Sequence, residues 1–146
     1  MPTVDIGNSD PEMLTVLGPT IDIQIGFDPT YRSSQESTPK IPNDLYPALV
    51  DTGAMESCID SSLASELNLL VVDRQTIAGV GGSQNVNVYA AQLYIPSLNY
   101  VIYGNFCGVH LAEGLQPHLA LIGRTFLRNH TLFYDGRTGV VQLGDG

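Results

Sequence analysis

Ala48-Leu49-Val50-Asp51-Thr52-Gly53-Ala54 is an apolar run that stops at a carboxylate and turns at once. The run predicts a strand that delivers Asp51 to a loop. Thr52 and Gly53 let that loop turn sharply, and Gly53 leaves room for another backbone to approach. A carboxylate in such a loop can do acid–base work when a second one faces it and the two share a proton. Asp-Thr-Gly alone is a weak signal, so the reading depends on what lies around it.

The strand should begin at Tyr46. After the loop, Met55 to Ile59 is expected to return into the core. Asp60-Ser61-Ser62 can then cap a short helix through Leu63, Ala64, Glu66 and Leu67. Upstream, Ile21, Ile23, Ile25 and Phe27 alternate with Asp22 and Gln24, the period of a half-buried strand. Asp28 to Asp44 is rich in Pro and Ser and reads as an exposed insertion in a hairpin. Met13 to Leu17 is a short strand candidate ended by Gly18-Pro19, and residues 1–10 read as a loose arm before a single domain over 11–146.

Downstream, Leu69 to Val72 reads as a buried strand. Thr76-Ile77-Ala78-Gly79-Val80-Gly81-Gly82-Ser83 and the alternation of Val86 and Val88 with Asn85 and Asn87 predict a hairpin with a Gly-rich tip. Ala90 to Ile95, Val101 to Leu111 and Leu119 to Ile122 read as strands, with a short helix over 124–129 after Gly123. Leu132 to Tyr134 and Val140 to Leu143 flank the turn Asp135-Gly136. Many short strands with two short helices predict an all-β domain, closed or sandwich-like.

Composition narrows the function. The chain has 146 residues, a net charge of −9 and only six Lys and Arg, so it lacks the electrostatic footprint of a nucleic-acid binder. The same charge disfavours an anionic membrane surface, and no stretch approaches the roughly 20 apolar residues of a span. No signal peptide is read at the N-terminus, and a cytoplasmic protein is expected. Cys58 and Cys107 read as buried, inert thiols, with a disulfide or a reactive thiol as the alternatives. His110, His118 and His130 have no metal-ligand spacing, and no metal or cofactor is expected.

Three pieces stand in order: the Asp51-Thr52-Gly53-Ala54 strand end, the Ile77-Ala78-Gly79-Val80-Gly81-Gly82 hairpin, and Leu121-Ile122-Gly123-Arg124. Together they resemble the retropepsin-like aspartic proteases, the family of the retroviral proteases and their cellular relatives. The helix between the Asp51 loop and the hairpin looks more like cellular and bacterial members than compact viral ones. The resemblance implies a closed β-barrel, a C2 homodimer, and hydrolysis of polypeptide by a water held between two aspartates. It implies Asp51, Thr52 and Gly53 as the catalytic loop and the hairpin over about 75–90 as a flap with Val80 at its tip. Leu49, Ala54, Cys58, Ile77, Gly79, Val80, Gly81, Leu119 and Leu121 would meet substrate, and Gly123 and Arg124 would support the loop. The pockets are apolar or soft, so hydrophobic residues are expected beside the scissile bond.

The residues point to the dimer independently, because the mechanism needs two carboxylates and no second Asp-Thr-Gly or Asp-Ser-Gly occurs in the chain. Ala54 cannot donate a hydrogen bond to the carboxylates as a Ser would, so a working range reaching mildly acidic pH is expected. Met55 stands where retroviral enzymes place an Asp to pair with the Arg, so Arg124 is expected to use Glu56, a partner-subunit group or water. Ala78 replaces the first flap Gly, and the viral terminal dimer strands have no clear equivalent. The alternatives are a catalytically silent module that binds a peptide or partner on the same fold, and a processed fragment of a larger polyprotein or receptor.

Overall fold

Alternating apolar residues, frequent turns and few helix-forming runs produce, among the described residues, ten strands and three short α-helices. The computed structural model describes residues 3–32, 37–79 and 82–145. The strands are β1 (Thr3–Asp5), β2 (Thr20–Gly26), β3 (Tyr46–Val50), β4 (Cys58–Asp60), β5 (Val71–Gly79), β6 (Gly82–Ile95), β7 (Tyr100–Val109), β8 (Ala120–Ile122), β9 (His130–Asp135) and β10 (Val140–Asp145). The helices are α1 (Pro11–Leu17), α2 (Ser61–Glu66) and α3 (Arg124–Leu127), with a 3-10 turn at Pro96–Leu98.

One sheet runs β2-β3-β8-β4-β7-β6-β5, and β2 also pairs with β6. That second pairing closes the sheet into a barrel and leaves β5 as the outer arm of a hairpin with β6. The all-β closed barrel expected from the sequence is therefore present. A second sheet, β1-β10-β9, lies beside it. The interior is aliphatic: Ile23, Ile25, Ile59, Leu93, Ile95, Ile122, Val141 and Leu143 are fully buried. The alternation along β2 explains its share, since Ile21, Ile23 and Ile25 point inward while Asp22 is exposed.

Several expectations change. Met13 to Leu17 belongs to α1, a third helix, and not to a strand. Asp10 caps it by accepting from the Glu12 and Met13 amides at 3.1 and 3.2 Å, and Pro11 presets its first turn. Only Leu14 of that helix is buried. Residues 3–5 are not a loose arm; they form β1, paired antiparallel with β10 from Thr3↔Gly144 to Asp5↔Gln142. Gly7 then passes so close to the β9–β10 turn that a Cβ would meet the Gly139 carbonyl oxygen.

Phe27 lies outside β2 and is exposed, because the chain leaves the sheet at Gly26. The segment after it is tied down. The Gln92 side chain accepts from the Asp28 amide at 2.6 Å and donates to its carbonyl at 3.1 Å. The Asp28 carboxylate accepts from the Thr30 amide and hydroxyl and from the Lys40 amide. Residues 33–36 of this insertion lie outside the described residues. Leu69 is buried, but Leu70, Val71 and Val72 are exposed, because β5 is an edge strand paired only with β6. Met55 does not return to the core; it is 62% exposed.

The capped helix after the Asp51 loop forms as expected. Asp60 is buried, and its carboxylate accepts from the amides of Leu63, Leu111 and Ala112 at 3.0 Å each. Three donors satisfy a carboxylate that would otherwise be costly to bury. They also fasten the start of α2 to the loop after β7.

Candidate active site

β3 and β8 run parallel, with Ala48↔Ala120, Leu49↔Leu121 and Val50↔Ile122. Both end at the same level. The Asp51 amide donates to the Ile122 carbonyl at 2.9 Å, so the loop after β3 springs from the last rung of the ladder. The turn itself is closed by the Ala54 amide on the Asp51 carbonyl at 3.2 Å.

Within that turn the Gly53 amide donates to Asp51 Oδ1 at 2.8 Å. This bond fixes the orientation of the Asp51 carboxyl group. A Cβ at Gly53 would stand 3.1 Å from the same oxygen, so a side chain there would crowd the group it positions. Among the described residues, Oδ2 of Asp51 takes no hydrogen bond, which leaves it open to a second group.

The loop is held from β8 and α3. Arg124 Nη1 donates to the Thr52 carbonyl at 2.7 Å. The Arg124 amide donates to the Ala54 carbonyl, and the Thr125 amide to the Met55 carbonyl, each at 2.9 Å. Arg124 therefore uses a backbone oxygen of the Asp51 loop, and among the described residues it forms no ion pair with Glu56. Gly123 is packed hard against the same loop, since a Cβ would lie 2.6 Å from the Glu56 carbonyl oxygen. Its amide donates to the hydroxyl of Ser57, a buried residue, at 3.0 Å. Ser57 is a support that sequence reasoning missed; nothing in its neighbours marks a buried hydroxyl.

The pairing registers bring several expected lining residues to one face of the barrel sheet. Leu49 is level with Leu121, Leu121 with Cys58, and Cys58 with Cys107. Cys107 is level with Val88 on β6, and its thiol contacts the Gln75 side chain at 3.7 Å. Ile77 and Gly79 follow Gln75 by twos along β5, so they share that face. Leu119 stands two residues before Leu121. The hairpin expected at 76–88 is present, with Gly79 opposite Gly82. Val80 and Gly81 lie outside the described residues. Thr52 is exposed and Ala54 half-buried.

Burial, reinforced by Cys107, Glu56 and Asp51, pushes the Cys58 thiol up to about 11. Burial, with Glu56, also raises Cys107. Both cysteines are free. His118 is buried with Nε2 2.7 Å from the Thr20 hydroxyl, and burial lowers its pKa, so it is a histidine with a hydrogen-bond partner and, among the described residues, no metal-ligand cluster around it. His110 sits against Glu113 at 2.9 Å, and His130 stacks on Phe126. Among the described residues, no cluster of three or more His, Cys, Asp and Glu could hold a metal ion. Among the described residues, no helix is long and apolar enough to cross a membrane.

No family model matches the sequence, and no curated protein matches it. Among solved structures, the chain is similar to the EIAV protease in complex with the inhibitor HBY-793. The identity is 17%, the TM-score 0.48, and the match covers 75% of this chain and 85% of that one. It is also similar to the protease of simian foamy virus (mac), at 11% identity and a TM-score of 0.47, over 75% of this chain and 91% of that one.

Proposed function

We propose that the chain is an aspartic endopeptidase that hydrolyses extended, hydrophobic polypeptide segments as a C2 homodimer, with Asp51 from each subunit forming the catalytic pair. The observation that carries this is the Asp51 loop itself. One carboxylate oxygen is fixed by the Gly53 amide and the other is open, while Arg124 and Gly123 hold the loop from β8 and α3. A carboxylate of this kind, oriented by backbone and unneutralised by a cation, is suited to share a proton with its symmetry mate.

One subunit alone supplies half of the chemistry. The other Asp-Gly within the described residues, Asp135-Gly136, is spent on the β9–β10 turn, where Asp135 Oδ1 accepts from the Arg137 amide. In the pair, one Asp51 is ionised and takes a proton from water, and the other is protonated and polarises the scissile carbonyl. The water oxygen bonds to the carbonyl carbon to give a tetrahedral intermediate, and its C–N bond breaks as the dyad passes a proton to the leaving nitrogen. The pair titrates as a unit. Thr52 would brace the loop across the two-fold axis through its hydroxyl, and the exposed Met55 beside it would be covered by the partner.

The β5–β6 hairpin would act as the flap, pairing its backbone with an extended substrate. Leu49, Cys58, Ile77, Leu119 and Leu121 would form the soft side-chain pockets. Two unbridged cysteines suit a reducing compartment such as the cytoplasm.

The test is cleavage of a diverse peptide mixture between pH 3 and 8 by wild type and by Asp51→Asn, with products read by mass spectrometry. Wild type should cut beside hydrophobic residues and the mutant should not. If neither cuts although both are folded dimers, a peptide-binding module replaces the enzyme reading.

A further inference from the structure

A polar pocket lies on the face of the hairpin turned away from the Asp51 loop. In β5 and β6, Gln75, Ile77, Val86 and Val88 face the Asp51 side, so Arg74, Thr76, Asn85, Asn87 and Tyr89 face away from it. There Arg74, Asn85, Asn87 and Tyr89, with Val86 at the edge, meet Ser61 at the start of α2 and His110 just after β7, lining a solvent-open pocket of about 140 Å³. It is built rather than incidental. Tyr89 reaches it because residue 108 is glycine: a Cβ there would lie 2.7 Å from the Tyr89 ring. The ring is buried, with 5% of the residue exposed.

Counting donors and acceptors shows what this cavity lacks. The Thr76 hydroxyl donates to Asn85 Oδ1 at 2.6 Å, which commits the amide oxygen and leaves the Asn85 NH2 to donate. Asn87 Nδ2 donates to the Tyr89 hydroxyl oxygen at 3.4 Å, which leaves the hydroxyl hydrogen to donate. The Ser61 hydroxyl donates to the Val109 carbonyl at 3.2 Å and lies 3.2 Å from His110 Nδ1. The exposed Glu113 carboxylate lies 2.9 Å from His110 Nδ1. Among the described residues, the Arg74 guanidinium has neither an acidic partner nor a carbonyl acceptor. Three donors, one of them charged, thus share a pocket in which Asn87 Oδ1 is the one lining side-chain amide oxygen, among the described residues, that has no donor.

We propose that this cavity is a binding site for a small oxyanion, a phosphate or carboxylate group, held by Arg74, Asn85 and Tyr89. The guanidinium matches such a group in a two-pronged geometry, and the amide and phenol complete its hydrogen bonds. The volume of about 140 Å³ accommodates one such group. An anion there would tie the base of the hairpin to α2 and the loop after β7, on the side opposite Asp51. The site is independent of the chemistry proposed for Asp51.

The test is a titration of 15N-labelled protein with inorganic phosphate and, separately, acetate, at constant ionic strength against chloride. The side-chain resonances of Arg74 and Asn85 should shift and saturate with at least one of the two anions, and which one saturates identifies the preferred group. Arg74→Met should weaken the binding at least tenfold. Tyr89→Phe, which keeps the ring on Gly108 and removes only the donor, should weaken it several-fold. Arg137→Met, a distant exposed arginine, should leave it unchanged. Absent or non-saturating shifts, or equal binding by wild type and Arg74→Met, would overturn the assignment.

Discussion

Arg124 Nη1 donates to the carbonyl oxygen of Thr52 at 2.7 Å, so the residue after Gly123 holds the middle of the Asp51 loop from outside. The bond does not touch Asp51. It sets where the loop, and therefore the carboxylate, sits relative to β8. Arg124→Met should keep the fold and lower kcat/KM by roughly 10- to 100-fold, the usual penalty for a misplaced reacting group. Arg124→Lys should recover part of that loss, because a lysine can still reach a single carbonyl. Peptide-cleavage kinetics beside thermal unfolding of each variant would check this. Unchanged kcat/KM in the methionine variant would show that the bond is dispensable.

Gly123 should be intolerant of a single methyl group. A Cβ would lie 2.6 Å from the Glu56 carbonyl oxygen and 2.9 Å from that of Met55, and backbone cannot move aside as a side-chain tip can. Gly123→Ala should cost about 2–3 kcal/mol of stability, in the range of overpacked sites. It should also disturb the Asp51 loop, which lies on those same residues. Urea unfolding at one fixed protein concentration gives the number; a loss below about 0.5 kcal/mol, typical of an ordinary surface change, would contradict the packing described.

Asp28 makes a pH-dependent contribution to the loop after β2. The Lys40 amide, then the Thr30 hydroxyl and amide, hold its carboxyl below the ordinary value of 3.8. A carboxylate depressed in the folded state binds protons more readily when unfolded. Its stabilisation is therefore full above pH 3.8 and is lost as the pH falls through the lowered folded value. Asp28→Asn should lower the unfolding midpoint near neutral pH and flatten its decline toward pH 3. Parallel midpoint-against-pH curves for wild type and mutant would refute this.

The Cys58 thiol should be sluggish. With its pKa pushed up to about 11, its thiolate fraction at pH 8 is roughly two hundredfold below that of a free cysteine. In a Cys107→Ser background, iodoacetamide labelling should be slow at pH 8 and keep accelerating up to about pH 11. A labelling rate that levels off near pH 8.5, the value for a free thiol, would show that burial does not govern this residue.

The parts of this molecule that announce themselves in sequence are those governed by neighbours along the chain. The alternation at Ile21, Ile23 and Ile25 gives β2, and the cap at Asp60 gives α2. The apolar run into Asp51-Thr52-Gly53 gives a strand end with a tight turn. The errors come from competing signals and distant partners. Met13 to Leu17 looks like a strand by apolarity, but the start signal Asp10-Pro11 prevails, and a helix that buries only Leu14 is enough. Thr3 to Asp5 carries no local signal, since its partner strand lies at Asp5↔Gln142 and beyond, at the other end of the chain. Arg124 was legible as a support but its acceptor was not. A backbone carbonyl at Thr52 leaves no trace in residue types, and the buried hydroxyl of Ser57 leaves none either.

The most direct measurement of the central claim, that two Asp51 carboxylates from different subunits make one active site, is a mixing experiment. Wild type at constant concentration is exchanged with increasing Asp51→Asn protein, and peptide cleavage is followed. A shared dyad predicts that activity falls toward zero as excess mutant subunits capture wild-type chains in heterodimers with one carboxylate each. Activity that stays constant across the titration, with subunit exchange verified by mass, would mean that each chain acts alone, and the shared dyad would be wrong.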